Sequence, residues 1–413
     1  MCTGVPHWSP VPELLYLDTA RLGRMSPGAA AALRDFVALA GDEGGGLYLD
    51  HFLNSGLGAC PAPFAARYPG LAGWRGMGGL KADLRSLADG RPDLPVLLAS
   101  RSASLVKLAA RLLFHPCRNV LTTDLDWPVY SATLAAEAKR GNRIITAVAV
   151  RDAVLSGRLG EDDLVDLLCR RFAEAGCDGL YLTAVSNLGV RLPCERIVRR
   201  LEATRGVRVA VVDGAQEFCQ FPPAGGGGYC DLYLTGSHKW LGGYHPLSVA
   251  FYGRRRSRER VETVLAHMTD GGDLDDPLLR FSSRLEGGRR DPHAETVNLA
   301  PLFSAQGAVG DQQRDTDSFA TRLSNLVAAG EVGAASGWEP LLPSHGLRSG
   351  ILLLRAVSQA TQVRDPETTR ASLRGAGVAV TAYPGGLIRL SMPSLGFRQG
   401  ELGILSDALQ LSR

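Results

Sequence analysis

The chain has 413 residues, 45% of them hydrophobic and 21% charged, with a net charge of +3. That is the balance of a globular protein long enough for two subdomains, with too little charge to seek a polyanion. The Arg-rich runs Arg196–Arg205 and Arg254–Arg260 are interrupted by acids and apolar residues and read as solvated helix faces, not as a nucleic-acid surface. No apolar run is long enough to span a bilayer, and Met1–Pro12 lacks the basic and apolar regions of a signal peptide. Eight cysteines lie scattered from Cys2 to Cys230. None forms a C-x-x-C pair or stands at ligand spacing to a histidine. No metal is expected, and free thiols fit a reducing cytoplasm.

From Pro95 the sequence alternates short apolar runs with amphipathic stretches. Pro95–Ala99 reads as a strand and Ser104–Phe114 as a helix; Asn119–Thr123 and Tyr130–Arg140 repeat the pair. Arg143–Val150 is rich in β-branched residues and reads as a strand. Glu161–Ala175 is a helix with acids in its first turn and Gly176 placed to end it. Leu180–Val185 and Val207–Val212 are strands flanking a helix at Cys194–Thr204. Asp231–Thr235 and Leu247–Tyr252 complete the set. Such alternation predicts an α/β fold with a largely parallel sheet covered on both faces.

The C-terminal part changes character. Gly350–Ala356, Val378–Thr381 and Leu387–Ser391 read as strands, and Asp365–Gly375 and Gly400–Leu411 as helices, together a smaller α+β domain. Asp270–His293 is rich in Gly, Asp and Arg and reads as an exposed loop. The residues before about 90 carry many Gly and Pro and few periodic segments, and read as an arm over the core or a partner. The expected division is an arm at 1–30, a large domain at 31–268, a linker and interface segment at 269–330 and a small domain at 331–413.

In open parallel sheets ligands bind beyond the carboxyl ends of the strands. The polar residues placed there are Ser100–Ser102, Asp124–Trp127, Ser186-Asn187, Asp213–Gln216 and Gly236–Lys239. Ser102 opens a helix, whose free N–H groups suit a phosphate; alone it serves equally well as a helix cap. Asp213 ends an apolar strand, where a carboxylate can keep a pyridine nitrogen protonated, though an acid there more often closes a loop. Lys239, in TGSHKW, can form an imine if desolvated, and it stands out from ordinary surface lysines only through its neighbours. Trp127 can stack on an aromatic ring or fill the core. His238 can bind a phosphate oxygen or satisfy a buried polar site.

The order VVDGAQ, TGSHKW, IRLSMP resembles class V aminotransferase-type enzymes of pyridoxal-phosphate fold type I, a group with isopenicillin-epimerase-like, cysteine-desulfurase-like and kynureninase-like members. The resemblance begins at YLDTARLG (Tyr16–Gly23) and covers about residues 14–411. It implies pyridoxal 5'-phosphate as cofactor, with Lys239 as the Schiff-base lysine, Asp213 on the pyridine nitrogen and Gln216 on the phenolic oxygen. It places Ser102, the Ala103 amide, His238 and Ser237 at the phosphate, Trp127 on the ring and Asn187 near cofactor or substrate. Arg389 matches the arginine that grips the substrate carboxylate. Thr296, in Glu295–Asn298, matches a stretch that reaches the phosphate of a neighbouring subunit, which implies a homodimer with shared active sites. Arg101-Ser102-Ala103 carries fewer hydroxyls than the family's phosphate loop, and Glu295 stands where a glycine is usual. His245 is a candidate second acid/base near the substrate, against the plainer reading of a loop histidine.

The reaction implied is that of a transferase or lyase on an amino acid through a Cα carbanion, with an aminotransferase first. A β-eliminating lyase or an epimerase is the alternative, and a non-catalytic binding protein of the same fold is a third reading. No cysteine follows Cys230, so the C-terminal part offers none for a persulfide. A Rossmann dehydrogenase would need G-x-G-x-x-G where the chain has SRSASLVK.

Overall fold

The computed structural model describes residues 14–44, 50–222, 227–244, 246–286, 296–312 and 318–412. Its strands in chain order are β1 (Leu15–Tyr16), β2 (Val96–Ala99), β3 (Asn119–Thr123), β4 (Ile144–Val148), β5 (Gly179–Thr183), β6 (Val209–Asp213), β7 (Leu232–Gly236), β8 (Ser248–Tyr252), β9 (Trp338–Leu341), β10 (Ile351–Ala356), β11 (Val378–Ala379), β12 (Thr381–Tyr383) and β13 (Leu387–Ser391). The chain divides into two compact units. One comprises Leu22–Asp317 with Pro343–Leu347. The other comprises Met1–Arg21, Ser318–Leu342 and Arg348–Arg413.

The larger unit is built on a seven-stranded sheet of order β2-β8-β7-β6-β5-β3-β4. Strands β3 to β7 run parallel, and β8 is antiparallel to both neighbours. Central strands must be apolar on both faces, and β5, β6 and β7 are buried along their whole length. β4, at the edge, exposes Ile144. Helices Ser102–Phe114, Pro128–Arg140 and Arg258–Asp270 cover one face, setting Leu105, Leu108, Leu112, Leu134, Val261 and Met268 against Tyr181, Val209, Val211 and Leu234.

The smaller unit holds an antiparallel sheet of order β12-β13-β10-β9 and the parallel pair β1-β11. Its core joins Leu17, Leu326, Trp338, Leu352, Leu354, Ile388, Leu390, Leu405 and Leu409.

Two expectations give way. The residues before about 90 are not an irregular arm, since they form helices Pro27–Glu43, Asp50–Ser55, Ala62–Arg67 and Gly76–Leu87. Phe36 stacks on Phe303 and Trp74 packs against it at a tilt, with ring centroids 4.6 and 4.5 Å apart, which supplies the core that the Gly-rich local sequence hid. Asp270–His293 is not all exposed loop. It contains the helix Pro277–Glu286, with Leu278, Leu279 and Ser282 buried. Asp276 caps it by accepting from the Leu279 N–H at 3.0 Å. Helices Ala300–Gln312 and Ser318–Ala335 also follow in a region with no predicted element.

Candidate active site

The strand order reverses between β3 and β5, because the chain leaves β3 for β4 on one side and β5 for β6 on the other. A crevice is expected at that switch point. β3 and β5 pair only at Val120–Gly179 and Leu121–Leu180, whereas β5 stays paired with β6 through Thr183–Asp213. The parted ends are bridged by the buried Asp126 carboxyl, which accepts hydrogen bonds from the hydroxyls of Thr122 and, at 2.7 Å, Thr183. Burial pushes this carboxyl up to about 7; the two hydroxyls oppose the shift, and Asp213 and Asp124 add to it. A carboxyl raised on folding contributes stability at low pH that is lost as pH climbs through about 7. Asp126→Asn is therefore expected to equal the parent in unfolding free energy near pH 4, and to exceed it at pH 8 by on the order of 1–3 kcal/mol, with a correspondingly higher melting temperature. Thermal denaturation across that range is the check, and a variant weaker than the parent at pH 8 would contradict it.

Asp213 is the last residue of β6 and is 5% exposed. Burial pushes its carboxyl up; the Lys239 charge, first, and the Ala215 N–H, 3.0 Å from Oδ1, hold it back. Gly214 is required by space, since a Cβ there would stand 2.0 Å from the Tyr233 ring. The Gln216 side-chain oxygen accepts from Trp240 Nε1 at 2.8 Å, tying the VVDGAQ loop to the SHKW turn. Ser237, His238 and Lys239 follow β7 directly; Ser237 is fully buried, and its N–H donates to the Leu247 carbonyl at 3.0 Å. Gly23 donates to the His238 carbonyl at 2.8 Å, and a Cβ on it would stand 2.0 Å from the Lys239 carbonyl oxygen. The glycine that closes YLDTARLG thus lets the backbone press against the lysine turn.

Ser102 is the first residue of its helix, Ala103 is exposed beside it, and Tyr130 donates to Ser102 Oγ at 2.7 Å. Trp127 precedes the helix that carries Tyr130 and is 42% exposed, so its ring has an open side. Asn187 is half-buried in a tight turn in which Ser186 Oγ accepts from the N–H groups of Leu188 and Val190 at 3.2 and 3.1 Å. Thr296 is exposed. His245 lies outside the described residues. Arg389, on β13 of the smaller unit, is 3% exposed. Its Nη2 lies 3.6 Å from Asp18 Oδ1 and donates to Thr381 Oγ1 at 3.1 Å, so the YLDTARLG aspartate is its ion-pair partner.

The residues of the larger unit fit pyridoxal phosphate. Asp213 is a buried carboxylate whose desolvation a protonated ring nitrogen would offset. The Tyr181 hydroxyl, fully buried on β5, has no hydrogen-bond partner among the described residues, and Asp213, Asp126 and Tyr130 all raise its pKa further after burial. A buried orphan hydroxyl is costly unless a bound group meets it. Sequence reasoning placed Asp126 in the strand-end cluster Asp124–Trp127 without giving it a role, and it missed Tyr130 and Tyr181. Only the pairing of β3 with β5 and the helix over it brings them to Asp213, and the one local hint was an unusual aromatic in each apolar run.

No family model matches the sequence, and no curated protein does. Solved structures do. A cystine C–S lyase aligns at 14% identity with a TM-score of 0.71, over 97% of this chain and 98% of the other. A cysteine desulfurase from Escherichia coli aligns at 15% identity and 0.69, over 97% and 94%. An alanine–glyoxylate aminotransferase from Nostoc aligns at 14% identity and 0.65, over 99% and 97%. With nearly the whole of each chain covered, the protein has the type I fold of pyridoxal-phosphate enzymes, as the motif order implied.

Proposed function

We propose that the protein is a pyridoxal-phosphate enzyme that acts on an amino acid, with amino-group transfer as its reaction. The observation that carries this reading is the opposition of Lys239 and the buried Asp213 at the ends of neighbouring strands β7 and β6. When bound, the cofactor supplies an electron sink for a carbanion at the substrate Cα. Asp213 holds a proton at the ring nitrogen. Lys239 Nζ would take the proton from Cα, and amino-group transfer requires that it deliver that proton to the cofactor's carbon and not back to Cα; Gln216, tied to Trp240, would face the phenolic oxygen. Trp127 offers a ring face, and Ser102, the Ala103 N–H, Ser237 and His238 form the phosphate end. Asn187 stands near the substrate. Thr296 serves a partner's phosphate in a homodimer; its exposure suits that role. Elimination is the second reading, because a C–S lyase is among the similar structures.

The test is an absorption spectrum of the purified protein with pyridoxal phosphate, then a panel of amino acids with product identification by mass spectrometry. A band at the visible edge that shifts with an amino acid, and an oxo-acid product, are expected. Pyruvate and a released thiol would move the assignment to elimination. No band at all would remove the cofactor.

Arg389 is proposed as the residue that grips the substrate carboxylate while Asp18 holds its Nη2. Lysine preserves the charge facing Asp18 but cannot form two parallel hydrogen bonds. Arg389→Lys is expected to raise KM for the amino acid at least about tenfold with the melting temperature little changed. Early melting with normal KM would leave Arg389 only its tie to Asp18.

A further inference from the structure

The phosphate end of the proposed site is short of donors. No side chain caps the helix Ser102–Phe114: its N-cap is Arg101, in an extended conformation with no side-chain cap bond. The N–H of Ser100, the first residue after β2, is taken by both oxygens of the buried Asp276 carboxylate at 3.0 Å. The Ser104 N–H turns back to the Arg101 carbonyl at 3.2 Å. What this turn retains for an anion is the N–H groups of Ser102 and Ala103 and the Ser102 hydroxyl.

That hydroxyl is not free to turn. Tyr130, in the first turn of the helix Pro128–Arg140, donates to Ser102 Oγ at 2.7 Å. A hydroxyl that accepts on its oxygen must send its own proton elsewhere, and accepting polarises its O–H and makes it a stronger donor.

We infer that Tyr130 and Ser102 form a two-hydroxyl relay that aims the serine proton at a phosphate seated on the helix N-terminus, with Tyr130 as a positioning residue. The inference rests on the cofactor reading above. Tyr130 takes the place of the side-chain hydroxyls that Arg101-Ser102-Ala103 lacks. Burial, then the nearby Asp213 charge, pushes its phenol up to about 12, so it remains a donor at any working pH. Its ring packs against the core under the same helix, which fixes the hydroxyl in place.

The experiment is a double-mutant cycle of Tyr130→Phe and Ser102→Ala, reading dissociation constants for pyridoxal phosphate, for pyridoxal without phosphate and for inorganic phosphate alone. Loss of one net hydrogen bond predicts about three- to tenfold weaker binding of pyridoxal phosphate and of inorganic phosphate to Tyr130→Phe. Binding of pyridoxal should not change, nor should the melting temperature of the apoprotein. The double variant should bind like Ser102→Ala alone, because the tyrosine acts through the serine. Losses that add, or an equal loss for pyridoxal, would overturn the relay. If the parent binds inorganic phosphate but no pyridoxal phosphate, the cofactor reading fails, and the phosphate arm still decides the relay. If the parent binds neither, both fall.

Discussion

Lys239→Ala is expected to lose turnover by about 10³-fold or more, because it removes both the covalent anchor and the base that moves the Cα proton. The parent treated with borohydride and pyridoxal phosphate should retain the cofactor on the peptide that contains Lys239. The variant should retain none. The shortened side chain leaves the backbone of the turn in place, because that backbone is held by Gly23 on the His238 carbonyl and by Trp240 on Gln216. The apoprotein should therefore melt as the parent does. A covalent adduct at another lysine would displace Lys239 from its role, and a large drop in melting temperature would mean that the variant reports on folding.

Asp213→Asn is the second large effect. The amide keeps the size of the carboxyl and can still accept from the Ala215 N–H, but it cannot hold a proton on a pyridine nitrogen. Turnover is expected to fall roughly 10²–10⁴-fold, while cofactor affinity falls much less. Stability should move the other way. Burial raises the Asp213 carboxyl, with Lys239 the chief opposing influence, so folding favours its neutral form and gains stability from it. That contribution is present at low pH and is lost as pH rises through the folded-state pKa. The neutral variant should hold its melting temperature across the same range. Near-normal turnover would take Asp213 out of the mechanism. A variant that fails to fold would show that the carboxylate is needed for folding.

The elements of both units were legible wherever a hydrophobic period was clean. Asn119–Thr123, Cys194–Thr204 and Leu387–Ser391 have the same bounds in the structure as in the sequence reading. Helices before β2 were not read, although their start signals were present. Ser26 stands before Pro27, and its hydroxyl accepts from the Ala29 N–H at 3.2 Å. The alanines and glycines that follow give weak periodicity; Ala29 and Ala32 are buried, and Gly28 and Gly307 let two helices touch backbone to backbone. Asp276-Pro277 is the same kind of signal, hidden by charged neighbours.

What the sequence by itself determined is local: the strand ends, the acid after an apolar strand in VVDGAQ, the lysine in SHKW, and the order of these along the chain. Each depends on a few consecutive residues, and backbone geometry turns such runs into a strand with a polar tip. What only the tertiary structure decided is which tips share a crevice. Strand order places β3 beside β5, and the parting of their ends sets Asp126 between Thr122 and Thr183. Helix packing carries the Tyr130 hydroxyl to Ser102, and a pairing across most of the chain gives Arg389 to Asp18. The Tyr130–Ser102 and Arg389–Asp18 contacts join residues 28 and 371 positions apart. No periodicity encodes them, because they follow from burying many apolar faces at once.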